Sequence, residues 1–77
     1  MMTIARVTHR YYKDSTKKPH ECHDGVVGYY TTIEKARATV KDFLGENATV
    51  DNDFGFDIWV SPNLPQTEYI IDLINVY

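Results

Sequence analysis

The chain of 77 residues has one cysteine, one tryptophan, three prolines and four glycines, and beyond Lys41 it has no lysine or arginine at all. A single cysteine excludes an intramolecular disulfide, so no covalent staple supports the small core, and a reducing compartment suits the chain. No stretch approaches the roughly 20 consecutive apolar residues that a membrane-spanning helix needs. The opening MMTIARVTHR lacks the continuous apolar centre of a signal peptide. A cytoplasmic protein without membrane contact is therefore expected. No internal repeat or low-complexity segment interrupts the chain, which has the length of one small domain. A domain of this size buries only roughly 60 to 65% of the surface that its unfolded chain exposes.

What is present is the composition of a folded globular protein, 43% hydrophobic and 25% charged. The charges are segregated. All eight lysines and arginines lie in residues 1–41 against four acids (Asp14, Glu21, Asp24, Glu34), a net +4; residues 42–77 carry seven acids and no base, a net −7. Asymmetry of this kind points to a charged partner, unless the two halves interleave in the fold and the acids serve solubility.

Residues 3–12, TIARVTHRYY, are rich in β-branched and aromatic types with loose alternation, and read as a strand. The run KDSTKKPHECHD has no apolar period and contains Pro19, the mark of a connection whose Asp24-Gly25 pair makes the turn. GVVGYY reads as a second strand. Thr31 and Glu34 match a capping box. Ile33, Ala36, Val40, Phe43 and Leu44 then share one helical face and Gly45 supplies the stop, so a helix is expected over about 32–44. FGFDIWVS at 54–61 alternates as a half-buried strand, and TEYIIDLINVY supplies a last strand over about 68–76. The expected fold is a two-layer α+β domain of order ββαββ, one helix packed on a small, mostly antiparallel sheet.

One helix covers only one face of such a sheet. Val7, Phe56, Ile58, Val60, Ile71 and Leu73 are expected on the covered face. Because Asp72 is costly to bury, the even positions of the last strand are expected outside, leaving Ile70, Ile74 and Val76 exposed near Trp59 and Tyr29. An apolar patch of this kind marks an interaction surface, and tyrosine and tryptophan are enriched at interfaces. The competing expectations are that the 13–24 loop folds over that face or that the last strand is buried on both sides.

Chemistry-bearing motifs are few. His20, Cys22 and His23, with His9 from the first strand, could contribute to a zinc site, but no second cysteine pair accompanies them, and a polar hairpin end is the plainer reading. A Cys22 nucleophile with His20 as its base lacks an orienting third group and an oxyanion hole. The acidic stretch ENATVDNDFGFD fails the calcium-loop pattern, and nothing sets Asp51 and Asp53 apart as an acid and a base, so a solvated turn leading into a strand is expected there. Lys13, Lys17 and Lys18 with Tyr11 and Tyr12 could follow a nucleic-acid strand, but a net charge of −3 opposes direct nucleic-acid binding. Neither an enzyme nor a cofactor is expected.

A very small, acidic, tyrosine-rich ββαββ chain without a catalytic constellation resembles the small proteins with which phages and mobile elements block host defences, anti-CRISPR proteins among them. The resemblance is general, covering the whole chain without a signature motif. It implies inhibition by occupying the surface of a protein partner, for example the nucleic-acid-binding channel of a CRISPR effector. Asp51, Asp53 and Asp57 are the expected electrostatic contacts, and Trp59, Ile70 and Ile74 the apolar ones. The alternatives are a structural homodimer closing the open face through Ile70, Ile74 and Trp59, and a small metal-binding module built on the HECH segment.

Overall fold

The computed structural model describes residues 2–76. It bears out the two-layer α+β architecture and adds a strand. The elements are β1 (Met2–Tyr12), β2 (Cys22–Tyr30), α1 (Ile33–Leu44), β3 (Thr49–Asp53), β4 (Phe56–Val60) and β5 (Thr67–Val76). The strands form one five-stranded sheet in the order β2-β1-β5-β4-β3, with every neighbouring pair antiparallel.

The two longest strands lie side by side near the centre. β1 and β5 are in register from Met2↔Val76 to Tyr11↔Thr67. This pairing sets the side-chain parity of the sheet, since residues directly opposite share a face. Ala5, Val7, Tyr69 and Ile71 point toward α1; Ile4, Arg6, Thr8, Ile70, Asp72 and Ile74 point away from it. Ala36, Val40 and Leu44 of α1 close the core over Ala5, Val7, Trp59 and Ile71, with Tyr30, Ile33, Ala48 and Tyr69 packed around them.

The helix starts one residue later than the capping-box reading places it. Thr32, in extended conformation, is the N-cap and its hydroxyl accepts from the Lys35 amide, while Thr31 instead accepts from the Lys35 ammonium. At the other end Gly45 adopts φ +81° and returns its N–H to the Lys41 carbonyl, as expected of a glycine stop.

Three strand expectations are corrected. Asp24 and Gly25 make no turn but lie within β2, opposite Arg10 and His9. The Arg10 guanidinium grips the Asp24 carboxylate with two hydrogen bonds, 2.8 and 3.0 Å, which carries the ladder out to Cys22. A bulge at Val26 and Val27 shifts the parity of β2, placing Asp24 on the same face as Arg10. The acidic segment before Phe54 is a strand rather than a solvated turn, because it pairs with β4 from Thr49↔Val60 to Asp53↔Phe56. Finally, Phe56, Ile58 and Val60 do not face the helix. Opposite Ile70 stands Ile58, and opposite Tyr69 and Ile71 stand Trp59 and Asp57, so the odd residues of β4 face inward.

The β3–β4 hairpin closes through two residues, Phe54 and Gly55, at φ 53° and φ 82°. Positive φ at both central positions is the type I′ geometry that suits the twist of a hairpin and selects Asn-Gly. Phe54 bears the strain of a left-handed backbone while its ring stays 92% exposed. Phe54→Asn is accordingly expected to stabilise the domain by roughly 1 kcal/mol, raising Tm by roughly 4–8 °C in a thermal melt. An unchanged or lower Tm would contradict this turn geometry.

Candidate functional site

The orientation of β4 determines what the uncovered side of the sheet presents, and Asp57 determines the orientation of β4. Its carboxylate is 2% exposed and accepts from Arg37 Nε at 2.6 Å and Nη2 at 3.2 Å, from Asn52 Nδ2 at 2.8 Å and from Trp59 Nε1 at 3.3 Å. Four donors replace the water that burial removes, as a buried carboxylate requires. Hydrogen bonding by Arg37, aided by Asn52 and Trp59, holds the Asp57 carboxyl below the usual carboxylate range against the opposing effect of burial. With Asp57 satisfied inside, Trp59 fills the core at 6% exposure, and the even positions of β4 turn outward.

The uncovered face is thereby enriched in apolar side chains. Across its middle runs the row Val26, Thr8, Ile70, Ile58 and Asp51, one residue from each strand; beside it runs Tyr29, Arg6, Asp72, Phe56 and Asp53. Toward one end follow Ile4 with Ile74, then Met2 with Val76. Met2 (58%), Val26 (53%), Tyr29 (57%), Phe56 (42%) and Val76 (43%) are all substantially open to solvent. The connection between β1 and β2 does not fold over them. Its Lys13 amide bonds to the Glu21 carbonyl and Gln66 donates to the Lys13 carbonyl, holding it at the end of the sheet, and on the open face it brings Lys17 to Glu68 at 3.7 Å.

Charge on this face follows a simple division. Each arginine of the chain is engaged by an aspartate: Arg6 with Asp72 at 2.7 and 3.1 Å, Arg10 with Asp24, and Arg37 with Asp57. Arg6–Asp72 and Arg37–Asp57 join the basic first part of the sequence to its acidic second part, so the segregation along the chain is largely interleaved in the fold. Neither Asp51 nor Asp53 has an ion-pair partner among the described residues; both are exposed on the β3 edge of the open face.

Of the residues expected to bind a partner, Asp51, Asp53, Ile70 and Ile74 share the open face. Asp57 and Trp59 do not, because both are buried on the helix side. Leu73 lies on the helix side as expected but is 54% exposed. The sequence reading missed Ile4, Phe56 and Ile58 as members of the open face. A signal for it existed in Arg37, which falls in the helical series Ile33, Arg37, Val40, Leu44 at the edge of the face that meets the sheet, where its half-exposed guanidinium can reach an inward acid, and Asp57 is that acid.

His9, His20, Cys22 and His23 are not brought together as ligands. His9 and His23 lie on the helix side, His9 against Tyr69 with ring centroids 4.9 Å apart. Cys22 is on the opposite side, its thiol 3.1 Å from the Pro19 carbonyl, and the His20 side chain is 77% exposed. Among the described residues no three His, Cys, Asp or Glu side chains converge as a metal site. Tyr11, Lys13, His20, Glu21, Cys22 and His23 line an open cleft of about 420 Å³. No helix among the described residues is long and apolar enough to cross a membrane.

Comparison with protein-family models, with curated proteins and with solved structures finds no match.

The Asp57 node carries a pH dependence of known sign. Because its folded pKa lies below its ordinary value of 3.8, its contribution is complete above that value and is lost as the pH falls through the lower folded value. Asp14 and Asp24, held low by hydrogen bonds from Thr16 and Arg10, act in the same direction. Asp57→Asn is expected to lower the unfolding free energy at pH 7 by about 2 kcal/mol, and to flatten the loss of stability below pH 4 relative to the parent chain. Denaturant unfolding between pH 7 and pH 3 checks both; a variant with the parent's acid profile would contradict this assignment.

Proposed function

We propose that the protein is a non-enzymatic protein-binding module whose working surface is the uncovered face of the sheet. The observation that carries this reading is the exposure, on one side of a five-stranded sheet, of Met2, Val26, Tyr29, Phe56 and Val76 beside the half-buried Ile4, Ile58, Ile70 and Ile74. Apolar exposure on this scale is characteristic of interaction surfaces. An aromatic and aliphatic centre flanked by charge is the anatomy of a protein interface.

The partner proposed is a protein with a basic surface, in keeping with the resemblance to phage and mobile-element inhibitors. Asp51 and Asp53 present unpaired carboxylates on the rim of the same face, suited to the lysines and arginines with which a nucleic-acid-handling protein, such as a CRISPR effector, binds its substrate. Occupying such a surface blocks nucleic acid without any catalytic step. The charge on the face opposes direct binding of nucleic acid, because acids placed there repel phosphate.

The test is a nuclease-treated pull-down from bacterial lysate, repeated with the purified candidate, using the parent chain and the variants Asp51→Lys/Asp53→Lys and Phe56→Glu. Capture of a nucleic-acid-handling protein by the parent, weakened at least tenfold by each variant, is the expected result. Equal capture by all three would remove the open face from the interaction, and capture of no such protein would contradict the proposed partner.

A further inference from the structure

We draw no further inference here: the strongest candidate, the open cleft that Tyr11, Lys13, His20, Glu21, Cys22 and His23 line at the end of the β1–β2 ladder, carries nothing, because Glu21 offsets Lys13 within its wall, its histidines and cysteine do not converge on a metal, and nothing in the structure shows what ligand would fill it.

Discussion

The carboxylate of Asp57, buried between helix and sheet and held by Arg37, Asn52 and Trp59, decides which side of β4 meets water. A strand has only two parities. Turning Asp57 inward commits Trp59 to the core and sends Phe56, Ile58 and Val60 to the open face. The alternative parity would bury three apolar side chains and expose the charge, which is cheaper by simple hydrophobic accounting. Arg37 favours the observed parity, since its half-exposed guanidinium closes over Asp57 and, with Asn52 and Trp59, supplies the hydrogen bonds that a buried carboxylate requires.

From that choice the rest of the molecule follows. Trp59 extends the core across to β4 and completes a layer that the small α1 residues Ala36 and Val40 could not fill alone. β3 is added as an edge strand whose five residues are all exposed and whose aspartates blunt it against further strand pairing. The apolar residues excluded from the core collect beside Ile70 and Ile74, which β5 already presents on the same side. An uncovered apolar face thus results from how the core is satisfied, and the proposed function makes use of it.

Much of this was legible in the sequence, and the parts that were not have identifiable reasons. The helix was readable because periodicity and stop signals agree; its start moved by one residue because Thr31 and Thr32 both carry a hydroxyl able to cap. Ile70 and Ile74 do point outward with Asp72, but not because Asp72 stays in water: it is buried, 8% exposed, beneath the Arg6 guanidinium that pairs with it. The cost of burying an aspartate failed as a guide at Asp57 too, where a partner 20 residues away removes that cost. Asp24-Gly25 resembles a turn locally, but Arg10 across the ladder holds Asp24 extended. TVDND has too few apolar residues to announce a strand, and it forms one because β4 offers it an edge. Local signals located the elements; long-range ion pairs set register and parity, and the candidate face depended on the latter.

The most direct test of this account uses the only tryptophan of the chain. With Asp57 and Trp59 inward, the fluorescence of Trp59 in the native protein is blue-shifted relative to the unfolded chain and resists quenching by iodide. Emission close to that of the unfolded chain, with ready quenching, would place Trp59 outside and β4 in the opposite parity. Phe56, Ile58 and Val60 would then lie beneath the helix, and the open apolar face on which the proposed function rests would lose its β4 contribution.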